Sequence, residues 1–465
     1  MISRRALALL ALLLFSVTCR RATGAARDPL AAEAEEALVA YLRIDTTNPP
    51  GNETAGAAFL RDMLTRNGIN ARLVGDDPKR QGVYARLEAN PKTNEQALIL
   101  LSHIDVVPAD PTQWTQPPFG GVRSGGYIWG RGALDVKSLT IAELMSLVDL
   151  KRRGAKLRRD VIFLAVPDEE LGGVRGTKAF LDKHPELFEG AGFAINEGGA
   201  NETAVDRVLY WGIEVHQKVP LWLRLTSESG GGHGAGPPEG GSAPAKLVRA
   251  LAAIDALETP YRLTPSVARS ASVAASVRSG YKGERLKLIR EPLDVPRIER
   301  DIPPGFKALL HDTITITRLD AGYAVNAVPM KATAEIDIRL LPDSDTAPML
   351  ARIREAAGKN ATVEVIHAGQ PSPESPASGE LYTTIAGAMR ASERGSSVGP
   401  IVTGGASDSR YLRARGIATY GLLPFKLNYY DADSFHSADE RIRAKFFEEG
   451  VLLTRDIVRA FCEAK

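Results

Sequence analysis

Three consecutive carboxylates, Asp168, Glu169 and Glu170, stand in "VPDEELGG" directly after the apolar run Val161 to Val166. If that run is a buried strand, the acids sit at the mouth of a core, where like charges repel and desolvation is costly. Such a cluster calls for positive charge nearby. Other ligand-type residues end comparable apolar runs: His103 and Asp105 in "QALILLSHIDVV", and Glu197 in "AGFAINEGG". His-x-Asp on a strand puts both side chains on one face, so Asp105 can orient His103 from behind a metal ion. Asp135 lies in the glycine-bounded loop "GRGALDVK", and His436 in "DSFHSADE", late in the chain.

Singly these signals are weak, because a strand-end histidine is more often structural and an aspartate in a glycine loop more often a turn residue. Together they give a coordination count. His103, Asp135, Glu170, Glu197 and His436 supply three protein ligands to each of two metal ions if one carboxylate bridges. A water shared by the ions then completes four-coordination at both, as expected of catalytic zinc. Two divalent ions against three carboxylates and a hydroxide nearly cancel in charge. With no thiol in the set, imidazole and carboxylate suit zinc, with manganese or cobalt as compatible substitutes. Glu169 is not needed as a ligand and is free to take a proton from the attacking water and return it to a leaving amine. The chemistry this spells is metal-assisted hydrolysis of an amide.

The elements that must position these residues follow from the same segments. Val136 to Lys151 has helical character between two strand-like runs, and strands alternating with helices pack as an α/β fold around a mostly parallel sheet. Ligands of such sheets gather at the carboxyl ends of the strands, where His103, the acidic trio and Glu197 all fall. From Ile213 the pattern changes to β-α-β-β-α-β, the order of a ferredoxin-like α+β domain, ending in "ATVEVIHAG". Residues 262–310, rich in proline and charge, show no clear period and read as an elaboration of that domain. "GQPSPESPASGE" then leads back to helix–strand alternation. The expected organisation is a signal segment over residues 1–26, a catalytic domain over 27–212 and 370–465, and an inserted domain over 213–369.

With 465 residues and a formal net charge of +2, the chain has ample core and no single-sign field. No basic stripe interleaved with aromatics is present, so nucleic acid is not an expected partner. The start, "MISRRALALLALLLFSV", pairs two arginines with a short apolar run and is followed by small residues, the pattern of an export signal to the periplasm or exterior. Cys19 offers a lipidation site in a poor lipobox, which would make a membrane lipoprotein. The other cysteine is Cys462, so after cleavage no internal disulfide can form.

The blocks "SHIDVVPAD", "QPPFGGVRSGGYIWGRGALDVK", "VPDEELGG", "INEGG" and "GGASDSRYL" resemble, in order, the signatures of metallopeptidase family 20. These are two-zinc hydrolases that include aminoacylase, carboxypeptidase S, glutamate carboxypeptidase and succinyl-diaminopimelate desuccinylase. The "PPFGG…YIWGRGALDVK" block is most similar to the carboxypeptidase S and N-fatty-acyl amino acid hydrolase branch. The resemblance implies that Asp135 bridges, that His103 and Glu197 hold one zinc, and that Glu170 and His436 hold the other. Glu169 matches the general acid/base. The inserted domain matches a lid that commonly makes a homodimer. On it, His233 matches a histidine that stabilises the oxyanion, often from the second subunit. Asn326 matches a substrate-contacting asparagine, Arg339 the residue that grips the substrate carboxylate, and Gly404 and Gly405 a backbone approach to that group. Glu at position 197 is typical of deacylating members, so the implied substrate is an N-acyl amino acid, with carboxypeptidase or dipeptidase action on short peptides as the alternative and a non-catalytic binding protein as a third reading. The sequence departs from the family at "HSADE", where Ser437 and Asp439 replace the usual Gly and Asn.

Overall fold

The computed structural model describes residues 27–278 and 280–464. The expected export signal and Cys19 lie outside them. Nine strands form a mixed central sheet whose middle is parallel. Val161–Val166, Ala97–His103, Ala191–Asn196 and Ala418–Gly421 run side by side in one direction. The sheet is extended on one side by Gly82–Leu87 and Ala71–Val74, each antiparallel to the strand before it, and on the other by Arg207–Gln217, Ala200–Ala204 and Ser397–Thr403.

Its central strands are apolar throughout because both faces are covered. In "ALILLSH", Leu98 and Leu100 belong to one core and Ile99 and Leu101 to the other. The first core is closed by the helices Pro29–Leu42, Lys137–Arg152 and Ala444–Cys462. The second is closed by Phe180, Leu181, Leu187 and Leu412. With three neighbouring strands parallel, His103, the turn after Val166 and Glu197 arrive at the same edge of the sheet.

A second sheet is wholly antiparallel, in the order Thr313–Ala321, Lys331–Leu340, Val219–Glu228, Thr362–Ala368. Two helices, Ala243–Asp255 and Thr346–Ala357, cover one face through Leu247, Ala250, Met349 and Ile353. Period-two alternation explains this: Ala332, Ala334, Ile336, Ile338 and Leu340 point into that core. The opposite face carries Trp222, Arg224, Glu335, Asp337 and Arg339.

Two expectations need correction. The changeover set at residue 213 falls inside a strand that stays in the central sheet to Gln217. More importantly, residues 262–310 do not elaborate the smaller sheet. They form the helices Pro265–Val277, Gly280–Leu286, Val295–Asp301 and Pro304–Lys307, and Val267, Ala271 and Ala274 pack with Tyr210 and Val402 of the central sheet. Those contacts sit at i, i+4 and i+7, but alanine gives the stripe little hydropathy contrast, and the later helices are too short for a period to show.

Candidate metal centre

His103 ends its strand fully buried, its Nδ1 2.8 Å from the backbone carbonyl of Asp105. That contact fixes the ring with Nε2 aimed outward. Here the sequence expectation is corrected in detail. The Asp105 carboxylate stands 3.6 Å from Nδ1; it accepts instead from the backbone N–H groups of Glu169 and Glu170, both at 3.1 Å, and from Asn48 Nδ2 at 2.9 Å. Asp105 therefore holds the turn that presents the two glutamates.

Asp135 faces both imidazoles. Its Oδ1 is 3.0 Å from His103 Nε2 and its Oδ2 3.0 Å from His436 Nε2. Glu197 Oε2 lies 3.7 Å from His103 Nε2, and Glu170 Oε2 3.3 Å from His436 Nε2. The five side chains thus form two clusters, His103–Asp135–Glu197 and Asp135–Glu170–His436, with ligand atoms within 4.8 Å of one another in each. The donor set fits two divalent ions: each cluster offers an imidazole, a carboxylate of its own and a share of Asp135, while Glu170 Oε1 is buried without a hydrogen-bond partner.

The electrostatics agree. Burial opposes charge on His103, but Glu197, Asp105 and Asp135 hold its pKa well above the ordinary value. Hydrogen bonds to Asp135 and Glu170 raise His436 to about 10. Burial opposes ionisation of Asp135, yet its bonds to the two histidines keep it below the usual carboxylate range. Glu170 is pushed up to about 7 by burial and by Asp135. Glu169 is held well above its usual value by burial and then by Glu197, so this carboxyl takes up a proton readily.

Three supports escaped the sequence reading. Glu440, fully buried, accepts from Arg131 Nη1 at 2.6 Å and from the backbone N–H groups of Gly132, Leu134 and Asp135 at 3.0, 2.7 and 3.1 Å, clamping the Asp135 loop. A small sheet of Val122–Ser124, Tyr127–Trp129 and Arg441–Arg443 brings that loop beside "HSADE". Asp168 is matched by Arg80 at 3.0 Å, which also pairs with the buried Glu53, so one of the three acids has a protein cation as its partner. The recurrence of glutamate after "HSAD" was a usable signal for the first; nothing local in sequence joins Arg80 to Asp168. Asp439, at φ 60°, accepts from Thr115 N at 2.7 Å and from Thr115 Oγ1, and keeps the left-handed turn that asparagine would favour.

A pocket of about 360 Å³ opens on the clusters, lined by Glu169, Glu170, Trp222, Arg339, Gly405 and Arg410 among others. Arg339 is forked onto Asp337 at 2.7 and 2.9 Å and lies over the Trp222 ring at 5.6 Å. Arg410, 3% exposed, donates to the Ser407 and Gly172 carbonyls. Gly405 lines this pocket, whereas Gly404 lines a neighbouring cavity. Neither has a positive φ, and a Cβ at either would meet nothing within 4 Å, so what these glycines provide is open space. The structure does not bring His233 or Asn326 to this pocket. They sit together on an exposed two-stranded ribbon, where Gly234 N donates to the Asn326 carbonyl at 2.8 Å.

An α/β sheet that presents paired histidine–carboxylate clusters sharing one aspartate, with a spare protonatable glutamate beside them, defines a metal-dependent hydrolase. Comparison places it further: the family model for Peptidase family M20/M25/M40 matches residues 99–460, and the chain belongs to that family. Aminoacylase-1 of Mus musculus is 29% identical over 421 residues, covering 88% of this chain and 91% of that protein. An N-fatty-acyl-amino acid synthase/hydrolase of Xenopus tropicalis is 29% identical over 360 residues, covering 75% of this chain and 69% of that one. In fold it matches an M20 family metallo-carboxypeptidase of Sulfolobus solfataricus with a TM-score of 0.72 at 19% identity, over 92% of this chain and 99% of the other. The protein is accordingly a metal-dependent amidohydrolase of this family.

Proposed function

We propose that the protein is an exported amidohydrolase with two zinc ions that removes the acyl group from N-acyl amino acids. The observation that carries this is Asp135 lying 3.0 Å from both imidazoles with Glu169 in the same pocket. His103 and Glu197 would hold one ion and Glu170 and His436 the other, across Asp135. When bound, the ions supply Lewis-acid polarisation of the scissile carbonyl and acidify an attacking water. Glu169 takes the water's proton and passes it to the amide nitrogen as that bond breaks, which suits a carboxyl whose pKa is raised by burial. Arg339, its guanidinium plane fixed by Asp337 and Trp222, offers charge to the substrate's free carboxylate.

The likeness to aminoacylase-1 over most of the chain supports deacylation over peptide cleavage. The arginine-led apolar start of the chain supports export. A homodimer is the natural completion of the site: Thr313–Ala321 is an exposed edge strand, with Leu319 62% exposed, and His233 is exposed without lining its own chain's pocket. We infer that His233 reaches the reaction centre of the partner subunit. The test is amine release from matched N-acyl amino acids and dipeptides by the zinc-loaded protein; a clear preference for dipeptides would move the assignment to peptidase.

A further inference from the structure

Beside the metal-facing pocket lies a second cavity of about 330 Å³, built between the strand Ser397–Thr403 and the helices of residues 265–307. Its wall is mostly apolar, with Val267, Ala271, Ala274, Phe306, Leu309 and Ile401, and also carries Ser270 and Tyr210, whose hydroxyls are buried without a hydrogen-bond partner. The two spaces share backbone. Thr403 lines both, Gly404 lines one and Gly405 the other, and Ala200 lines one while Gly199 lines the other. Gly404 and Gly405 carry no side chain and a Cβ at either would meet nothing within 4 Å, so no side chain of theirs intrudes where the two cavities abut. At the far end Arg278 paired with Glu202 at 3.3 Å and stacked on the Tyr210 ring at 4.3 Å forms a charged wall.

We propose that this chamber receives the acyl chain of the substrate, and that the chain is a medium-length unbranched aliphatic one. This rests on the deacylase reading above. A mostly apolar void favours a hydrocarbon over a peptide side chain, with Tyr210 Oη, Ser270 Oγ and Arg278 Nε the few unpartnered polar atoms on its lining residues. The volume is about twice the ~150 Å³ that accommodates benzene, which scales to roughly a dozen carbons. The Arg278–Glu202 wall then sets the length limit, since a chain pushed further would have to desolvate an ion pair. The carbonyl of such a chain is left at the metal clusters and its amino-acid carboxylate toward Arg339.

The test is a chain-length series of N-acyl amino acids, acetyl to hexadecanoyl, on the zinc-loaded full protein and two filling variants. Gly305 lines the exposed side of the chamber, lies outside the positive-φ region, and a Cβ there would meet nothing within 4 Å, so Gly305→Phe adds a ring at the chamber wall without backbone strain. Ser270→Leu is a milder second variant at the same wall. In the parent, kcat/KM should rise about threefold to fourfold per added methylene until the chamber is full near ten to twelve carbons, then fall. Both variants should lower the decanoyl-to-acetyl ratio by at least about tenfold while acetyl turnover persists, which also reports that they fold. A flat chain-length profile, or an unchanged ratio in variants that still cleave the acetyl substrate, overturns the chamber and leaves the deacylase standing. Cleavage of dipeptides with no acyl substrate turned over overturns both.

Discussion

At the scale of single residues, the metal-free state holds two protonated imidazoles, His103 and His436, against the ionised Asp135 they share. His103 and His436 are both raised in pKa, the latter to about 10, and Glu170 sits at about 7. Ligation needs neutral imidazole and ionised carboxylate, so ions must displace protons. Zinc binding at pH 7 is therefore expected to release about two protons or more, and affinity to rise with pH through the Glu170 value of about 7 and up to the His436 value of about 10. Calorimetry in buffers of different ionisation heat measures this; binding without proton release would contradict the assigned ligands. His103, Glu170 and Glu197 were legible from sequence because each follows a hydrophobic run, and Asp135 because it sits in a glycine loop, whereas His436 in "DSFHSADE" has no such local signal and was legible only through the ligand count and the family likeness. The role of Asp105 was only half legible, since a spacing of two predicts a shared face but not that the backbone carbonyl would reach the imidazole first while the carboxylate turns to the N–H groups of residues 169 and 170.

At the scale of elements, the site depends on two clamps that no local pattern announces. Glu440 binds four donors of the Asp135 loop from more than three hundred residues away. Glu440→Gln keeps the shape but loses charge and two acceptor sites, and zinc affinity is expected to fall roughly tenfold to a hundredfold, read by competition with a chelator. Arg80 neutralises Glu53 and Asp168 at 5% exposure of its side chain or less. Arg80→Met leaves two buried carboxylates without their cation, and unfolding in urea should show about 3–5 kcal/mol of lost stability. The strands themselves were readable, because "ALILLSH" and "VIFLAV" are apolar on both faces as central parallel strands must be. The helices of residues 265–307 were not assigned to the right sheet, because alanine and serine stripes carry little contrast and the chain gives no sign of which surface they cover.

At the scale of the whole molecule, a catalytic sheet and a second antiparallel sheet share one pocket, with Trp222 and Arg339 brought to Glu169 from the second. The likeness of five ordered motifs made the family legible, whereas the pairing of subunits is a property no single chain displays. If His233 serves the partner's site, Glu169→Gln and His233→Ala are each nearly inactive alone, and mixing them under conditions of subunit exchange should restore a measurable fraction of activity by creating one complete site. Leu319→Glu on the exposed edge strand should give a monomer by light scattering with activity as low as His233→Ala. The most direct measurement is amine release by the zinc-loaded, full protein from paired N-acyl amino acids and dipeptides, run beside Glu169→Gln. Deacylation predicts turnover of the acyl substrates and a loss of a hundredfold or more in the variant with both ions still bound. Undiminished turnover in that variant, or cleavage of dipeptides alone, would contradict it.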